Sequence, residues 1–336
     1  MHKAREGDFL ETVDNFIFDV KGIVHPPDRV IAYLRYVPDE KGGRTRLGIR
    51  YKKVYGLTER EAFLRKNAPI YSYFDPVAHR RLQGVPLEEI KVHYEPKKKL
   101  QQLSARKSPD PMEEDALELA NLFKSATGLP STRFGISGSL LVDLHDEDSD
   151  IDLIVYGVRE SHKVLEALKG SECKMLLERY DKAGIARLYE ARSMQNAMSF
   201  SAFMMHEKRK FLEGRFGKRD YFIRCIKDWS EAEEKYGDRY YYPLGSSTIR
   251  AVVDDDSESI LTPCVYKVTQ AQVLSGNKRA VPSQIVSFRG RFCEQAFEGE
   301  RVQARGRLER VVNRNGEWCR MVVGESLSDH LVKVRG

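Results

Sequence analysis

The sequence lacks the features that mark several protein classes. No apolar run approaches the roughly 18 to 20 residues of a membrane-crossing helix, and no basic-then-apolar leader stands at the N-terminus. Five cysteines are scattered along the chain, with no CxxC pair and no zinc-like spacing to histidine. These absences predict a cytoplasmic protein that has reduced thiols and does not associate with membranes.

Charge of neither sign dominates, because 56 basic and 50 acidic residues leave a net charge of +6. This excess permits polyanion binding without requiring it. Basic and aromatic residues interleave in RTRLGIRYKKVY (44–55) and SFRGRF (287–292), and the stretch RVQARGRLER (301–310) is also basic. Such mixtures contact phosphates and stack bases, although ordinary exposed strands have the same composition. RNA or another nucleic acid is therefore an open partner.

Shifts in composition divide the 336 residues into three predicted domains. Residues 1–104 alternate short β-like runs with Gly and Pro and predict an α+β domain. Residues 105–240 form a core domain that begins with a helix at 112–128, after a polar linker from Lys97 to Pro111. Residues 241–336 contain five strand-like runs and predict a small barrel or sandwich, of which the oligonucleotide-binding barrel is one kind.

Local signals also place shorter elements. TEREAFLRKN (58–67) predicts a helix capped by Thr58, with Glu61 completing a capping box. Further helices are expected at 161–170 and from Ser199 to Glu213, and strands at Ile151–Tyr156 and Tyr221–Trp229.

An unusual acidic run, DEDSDID, spans residues 146–152. Its alternate acids resemble a calcium loop, but Ile151 and Gly157 stand where an EF-type loop needs Gly and Glu. A solvated turn would account for residues 146–148. It would not account for Asp150 and Asp152, which alternate into an apolar strand where an uncompensated charge is costly.

The two-residue period of a strand places Asp150 and Asp152 on one face, with Ile151 and Leu153 on the other. Two such carboxylates repel unless a cation lies between them, and hard oxygen ligands favour Mg²⁺ or Mn²⁺. Gly138-Ser139 stands ten residues before Asp150. A turn of this composition lets the backbone approach a phosphate closely.

Gly-Ser, ten residues and then Asp-Ile-Asp together resemble the signature of the DNA polymerase β-like nucleotidyltransferase superfamily, especially its minimal members. The resemblance also extends to archaeal-type predicted nucleotidyltransferases. It implies an α+β fold with a nucleotidyltransferase core, a mixed sheet with helices on one side, flanked by the N-terminal α+β and C-terminal β-rich domains. It further implies that Gly138 and Ser139 bind the triphosphate of an NTP, and that Asp150 and Asp152 bind two divalent ions.

The family also has a third carboxylate on a later strand, which activates the acceptor hydroxyl. Asp220 is the candidate for this catalytic and metal-binding role, Asp228 is the runner-up, and a simple turn role for Asp220 stays open. The spacer Leu140–Leu144 lacks the basic residue and glycine of minimal members. The triphosphate charge must then be met elsewhere, and the candidates are Arg215, Lys218, Arg219 and Arg224.

The resemblance implies a metal-dependent enzyme that transfers an NMP from an NTP to an acceptor hydroxyl and releases pyrophosphate. RNA or another nucleic acid is the favoured acceptor, and a protein side chain or a small molecule remains open. The alternative is a non-catalytic protein that binds nucleic acid or senses nucleotides on the same fold.

Overall fold

The computed structural model describes residues 3–192, 197–232 and 234–334, apart from the side chain of Glu172. The chain is α+β, with several sheets and eight α-helices in these ranges. It forms two compact units. The first comprises Met1–Asp75, Arg81–Leu177 and Arg215–Tyr236. The second comprises Pro76–Arg80, Glu178–Gly214 and Gly237–Gly336.

This division differs from the three predicted domains, because residues 1–75 and 105–177 belong to the same unit. Tyr36 and Tyr51 from the N-terminal region share a buried cluster with Leu141, Val142 and Leu144. Shifts in composition along the chain do not reveal such packing between distant segments, so they did not show that the two regions form one unit.

An eight-stranded sheet occupies the N-terminal region. Its strands are β1 (Phe9–Thr12), β2 (Ile17–Val20), β3 (Arg29–Pro38), β4 (Arg44–Arg46), β5 (Ile49–Lys53), β6 (Ser72–Asp75), β7 (Arg80–Pro86) and β8 (Ile90–Tyr94). The order is β4-β5-β3-β2-β1-β8, while β7 pairs with β3 and β6. Along β3, alternate side chains are buried, so that Ala32 and Leu34 pack in one core with Phe18 and Tyr71.

A five-stranded sheet carries the acidic run. Its strands are β9 (Phe134–Ile136), β10 (Ile151–Tyr156), β11 (Leu177–Glu178), β12 (Glu213–Phe216) and β13 (Arg219–Ile226), in the order β11-β12-β13-β10-β9. β10 runs parallel to β13, with Ile151 opposite Tyr221, and antiparallel to β9. The sheet is therefore mixed, and the strand predicted at Ile151–Tyr156 is confirmed.

The helices of the first unit agree in part with the sequence signals. They are α1 (Leu57–Asn67), α2 (Pro96–Ala105), α3 (Pro111–Thr127), α4 (Gly138–Leu141), α5 (Val158–Lys169) and α6 (Ser171–Leu176). Asp110 caps α3 in a capping box with Glu113, and Gly128 ends the helix in the left-handed conformation. The helices predicted at 112–128 and 161–170 are thus confirmed.

Two N-terminal expectations were wrong. The residue that caps α1 is Gly56, and no side chain caps this helix, so Thr58 and Glu61 form no capping box. Most of the linker predicted from Lys97 to Pro111 is helix α2, which buries Leu100 and Leu103. The run of lysines concealed this short apolar face, which has the i, i+3 spacing of a helix.

The second unit is dominated by a ring of strands. These are β14 (Arg239–Asp255), β15 (Cys264–Ser275), β16 (Gln284–Ser287), β17 (Arg301–Asn313), β18 (Gly316–Val322) and β19 (His330–Lys333). Pairing follows β14-β15-β16-β18-β17, and β17 returns to β14. β16 and β18 are parallel, and β19 pairs with β17 outside the ring. The β-rich expectation for residues 241–336 is confirmed.

Two helices, α7 (Lys182–Arg192) and α8 (Phe200–Glu207), complete the second unit. The helix expected from Ser199 to Glu213 therefore ends six residues early. Lys210 lies beyond it, buried, with its ammonium 2.8 Å from the Glu207 carboxylate and hydrogen-bonded to the Arg291 carbonyl at 2.7 Å. Glu213 already belongs to β12. These buried polar contacts compete with further helical turns.

Across the ranges that the structure describes, no helix is both long enough and apolar enough to cross a membrane.

His206, in α8, is fully buried and held in its neutral form by two hydrogen bonds. Nδ1 lies 2.8 Å from the Gln295 carbonyl and must donate a proton to it. Nε2 accepts a hydrogen bond from the Lys333 amide at 3.3 Å, so it cannot carry a proton. Burial, followed by the nearby Lys210, lowers the pKa of His206 to about 4.

Acidification should therefore destabilise the second unit through His206. The folded-state pKa lies below the ordinary value of 6.5, so the stabilisation is complete above pH 6.5 and is lost as the pH falls through about 4. The full loss amounts to about 3 kcal/mol in the free energy of unfolding. The free energy of unfolding at each pH is measured by denaturant titration, with Trp318 fluorescence in a Trp229→Phe background as the signal.

His206→Gln is the control, because an amide keeps a donor and an acceptor but does not titrate in this range. Between about pH 7 and pH 4.5 the histidine protein should lose more stability than the variant. Parallel curves for the two proteins would contradict the neutral buried imidazole.

Candidate functional site

Asp150 and Asp152 lie at the start of β10. Ile151 and Leu153 are buried on the opposite face of the strand, while Asp152 is half-buried and Asp150 is exposed. Neither carboxylate forms a hydrogen bond or an ion pair with any residue that the structure describes. Two adjacent acids without partners, one of them half-buried, are an energetically costly arrangement for a folded chain to keep.

Gly138 lies directly against Asp152. Its φ of 65° is in the left-handed region, and a Cβ built on it would overlap the Asp152 Oδ2 and lie 2.9 Å from the carboxyl carbon. The preceding residue ties the two segments together, because the Ser137 amide donates to the Asp152 carbonyl at 2.9 Å. Only glycine fits here, since any side chain would displace the carboxylate.

Ser139 follows on the first turn of α4. The residue is buried, and its carbonyl accepts a hydrogen bond from the Leu144 amide at 2.9 Å. Its hydroxyl forms no hydrogen bond within the described part of the chain. The turn that was predicted to bind phosphate thus lies beside the acidic strand, with a hydroxyl available.

The electrostatic surroundings of Asp152 act in opposite directions. Burial, followed by the charge of Asp150, raises the pKa of Asp152 to about 6, while Arg224, Arg35 and Lys53 lower it. Repulsion between the two carboxylates is therefore only partly offset by protein cations. A divalent cation would relieve the remainder, and a donor set of two carboxylates suits Mg²⁺ or Mn²⁺.

The first part of the acidic run has a structural role. Ser149 Oγ donates to Asp146 Oδ1 at 2.7 Å, and Arg44 forms an ion pair with Asp146 at 2.8 Å. Arg44 also donates to the Leu144 carbonyl at 2.5 Å. Glu147 and Asp148 are exposed. Residues 146–148 therefore form a turn, distinct from the partnerless pair that follows.

The four cations predicted to meet phosphate charge have different surroundings. Arg219 donates to Asp115 Oδ2 and to the Glu147 carbonyl, both at 2.5 Å. Arg215 lies 3.8 Å from Asp220, and Lys218 is exposed in the β12–β13 turn. Arg224 is close enough to lower the pKa of Asp152, but its guanidinium forms a 2.7 Å ion pair with another carboxylate, that of Glu6.

Arg224 belongs to a charged network with the N-terminal sheet. It lies 4.0 Å from Asp19, and Lys21 bonds to both Asp19 and Glu6. Burial raises the pKa of Asp19, but Lys21 and Arg224 outweigh it and hold this pKa below its ordinary value. The network holds Arg224 beside the site. Its positive charge acts on Asp152, but its hydrogen bond is made to Glu6.

The third carboxylate remains a prediction. Asp220 precedes Tyr221, whose partner across the sheet is Ile151, so Asp220 and Asp150 enter neighbouring strands side by side. Asp220 is exposed and 3.8 Å from Arg215. The runner-up, Asp228, forms ion pairs with Arg5 at 3.0 Å and Arg133 at 2.6 Å and caps a short helical turn, which accounts for its charge structurally.

Sequence reasoning missed part of the site, namely the contribution of the N-terminal sheet. Lys53 had appeared in a basic and aromatic stretch, but nothing in the sequence connects it with Asp152. Arg35 gave no signal, because it occupies an ordinary outward position in the alternating pattern of β3. Both lie close enough to Asp152 to lower its pKa.

Asp110, Glu113 and His145 form a second group with metal-type ligands, whose ligand atoms lie within 4.8 Å of one another. The contacts of these side chains already explain the arrangement. Asp110 accepts from two amides at the start of α3 and lies 2.8 Å from His145, while Arg106 donates to Glu113 at 2.5 Å. The cluster therefore stabilises the N-terminus of helix α3.

Comparison with known proteins gives one informative result. No protein-family model matches the chain, and no solved structure matches it. The chain is 31% identical over 336 residues to the "Uncharacterized protein MJ1086" of Methanocaldococcus jannaschii, an alignment that covers 96% of each protein.

Replacing Gly138 by Ala should lower the free energy of unfolding of the first unit. The left-handed backbone costs about 1–2 kcal/mol for a residue with a side chain, and the overlap with Asp152 adds to this. Gly217→Ala is a matched control, because its φ of 57° imposes similar strain and no atom lies within 4 Å of a Cβ there. Trp229 fluorescence in a Trp318→Phe background reports the unfolding.

A double-mutant cycle separates strain from overlap. In an Asp152→Ala background the cost of Gly138→Ala should fall towards that of Gly217→Ala, with a remainder from the Asp152 Cβ, which the substitution keeps 3.1 Å from the added methyl group. An unchanged cost in that background would contradict the direct contact between Gly138 and Asp152.

Proposed function

We propose a function from the geometry of the site, because the chain belongs to the family of the archaeal protein MJ1086 and that name assigns no activity. The proposed function is metal-dependent nucleotidyl transfer on a nucleotidyltransferase core. The observation that carries the proposal is the contact between the Gly138 turn and the Asp152 carboxylate. It brings a phosphate-binding type of turn and a metal-binding type of acid pair into one place. This is the pairing that the Gly-Ser and Asp-Ile-Asp signature implies.

In the proposed reaction, an acceptor hydroxyl oxygen attacks the α-phosphorus of an NTP. The bond to the oxygen that bridges to the β-phosphate breaks, and pyrophosphate leaves. Mg²⁺ or Mn²⁺, held by Asp150 and Asp152, would supply charge neutralisation on the phosphates. The Gly138 turn and the Ser139 hydroxyl orient the triphosphate, and Asp220 takes the hydroxyl proton. Positioning and electrostatics contribute most of the rate enhancement.

Transfer should depend on both partnerless carboxylates. Asp150→Asn and Asp152→Asn keep the side-chain shape but remove the charge, so transfer of label from an α-phosphate-labelled NTP to RNA should fall by at least about 100-fold. Asp148→Asn is the matched control, because this exposed acid lies in the same run but outside the pair. Its rate should equal that of the unaltered protein.

A non-catalytic nucleotide sensor is the second candidate. The exposure of Asp220 and its proximity to Arg215 favour it, because an acid engaged by a cation is a poorer base. If the unaltered protein binds NTP with Mg²⁺ or Mn²⁺ but transfers no label to RNA, protein or small-molecule acceptors, the transferase proposal fails and the sensor remains.

Nucleic acid, with RNA first, is the acceptor class that we propose, and the ring of strands in the second unit supports this. β14 pairs with both β15 and β17, and β16 runs parallel to β18. This connectivity resembles the five-stranded Greek-key barrels that bind oligonucleotides. A small barrel of the oligonucleotide-binding kind is thus our proposal for this unit.

One face of these strands carries a group of aromatic side chains and an arginine. His79 lies 4.1 Å from Tyr242, ring centre to ring centre, and Tyr240 is 41% exposed two residues away. Arg310, opposite Tyr242 in the strand pairing, places its guanidinium 5.0 Å from the Tyr242 ring, although it also reaches Glu317 at 3.3 Å. Exposed rings beside a guanidinium suit unpaired bases and their phosphates.

Removing these rings should weaken RNA binding. Tyr240→Ala and Tyr242→Ala are each expected to lower the affinity for a short single-stranded RNA by roughly 5- to 100-fold, in line with the usual strength of base stacking. Fluorescence anisotropy of a labelled RNA measures it. Leu274→Ala, at a position on β15 that is 39% exposed, is the control, because it removes a large side chain without an aromatic ring or a charge. Affinities of both tyrosine variants equal to that of the unaltered protein would exclude this face as the RNA site.

A further inference from the structure

Arg35 on β3 and Lys53 on β5 are half-buried cations that lack an anionic partner. Neither forms a hydrogen bond or an ion pair through its side chain with any residue in the described ranges. Neighbouring cations differ: Lys52 pairs with Glu59 at 3.0 Å, and Arg44 with Asp146 at 2.8 Å. Asp152 offsets part of their charge at longer range, but partly desolvated N–H donors that contact no acceptor are costly to keep, which points to an anionic ligand.

The two cations lie together on one aromatic ring. The Arg35 guanidinium is 5.4 Å and the Lys53 ammonium 4.6 Å from the centre of the Tyr55 ring, which is itself 54% exposed. β3 and β5 are paired, with Tyr36 opposite Lys53. Contact with a ring face attracts both cations without using their N–H donors. Those donors therefore remain available to an anion.

This cation pair belongs to the same place as the acidic strand. Tyr36 and Tyr51, from β3 and β5, pack against Leu141 and Val142, which follow the Gly138 turn. Arg44, on β4, bonds to the loop that leads into β10. Both Arg35 and Lys53 act electrostatically on Asp152. Two partnerless carboxylates and two partnerless cations thus face one region of the first unit.

We propose that Arg35 and Lys53 bind the polyphosphate of the nucleotide, beside the metal site at Asp150 and Asp152. The identification of the ligand as a nucleotide rests on the proposed function, whereas the anion site rests on the contacts above. Without a ligand the two cations and two carboxylates sum to zero charge. When a divalent ion occupies the carboxylates, two positive charges remain, and a polyphosphate offsets them.

The N-terminal sheet thereby replaces the basic residue that is missing from the Leu140–Leu144 spacer. Arg35 supplies a planar fork that can bond two phosphate oxygens at once, and Lys53 supplies a point charge. Of the four phosphate cations predicted from sequence alone, Arg219 and Arg224 have their hydrogen bonds committed to Asp115 and Glu6. Arg35 and Lys53 carry no such commitment.

The probe for this site is inorganic tripolyphosphate, titrated calorimetrically into the full-length protein without metal. Arg35→Ala and Lys53→Ala should each weaken binding about tenfold, as expected for the loss of one charge-assisted contact. Lys52→Ala is the matched control, because Lys52 is the neighbour of Lys53, is exposed and is paired with Glu59. Its affinity should equal that of the unaltered protein.

Asp152→Asn should not weaken tripolyphosphate binding, although it should abolish most nucleotide transfer. Removing this negative charge should leave tripolyphosphate binding unchanged or make it tighter, since the carboxylate repels the anion. Arg35→Lys and Lys53→Arg keep the charge and should retain most of the affinity. They also serve where an alanine variant fails to fold, because loss of binding in a charge-preserving, folded variant contradicts a role based on charge.

The outcomes distinguish this inference from the proposed function. If the unaltered protein transfers nucleotide while the Arg35 and Lys53 variants keep its KM for NTP and its affinity for tripolyphosphate, the inference is overturned and the function stands. If the variants lose tripolyphosphate and no transfer occurs in any protein, the anion site stands and the transferase fails. Equal affinities in all variants mean that the cations only balance the carboxylates.

Discussion

The repulsion between Asp150 and Asp152 is the constraint on which the candidate site depends. Asp152 lies in β10 and Asp150 directly precedes it, neither carboxylate has a hydrogen-bonding partner among the described residues, and burial of Asp152 makes its charge expensive. Gly138 packs against this carboxylate instead of donating to it. The surrounding chain thus holds the pair in position, while Arg224, Arg35 and Lys53 offset only part of its charge.

The charges around the pair are arranged in two classes. Arg224, Lys21, Glu6 and Asp19 satisfy one another in a partly buried network, so they set the local potential without occupying the site. Arg35 and Lys53 have no such partners, and they remain available for an incoming ligand. This separation of committed from uncommitted charges has more functional content than the net charge of the chain, which is close to balanced.

The sequence predicted what depends on neighbours in the chain. The strand that begins at Ile151, the helix that Gly128 ends and the turn at Gly138 all follow from local sequence patterns and backbone chemistry. The contributions of Arg35 and Tyr36 could not be read in this way. They reach the site through sheet pairing and through packing between segments that are far apart in the chain. In the sequence, an outward arginine on a strand gives the same pattern whether it contacts solvent or a ligand.

The interrupted path of the chain has a consequence for how the protein is made. β10 and β13 are neighbours in one parallel pairing, yet residues 178–214, which lie between them in sequence, belong to the second unit. On the ribosome, the acidic strand therefore emerges long before its partner, and closing the sheet costs the entropy of a long loop. Until β13 is synthesised, the carboxylate pair stands at an open strand edge, so a competent site can form only late in synthesis.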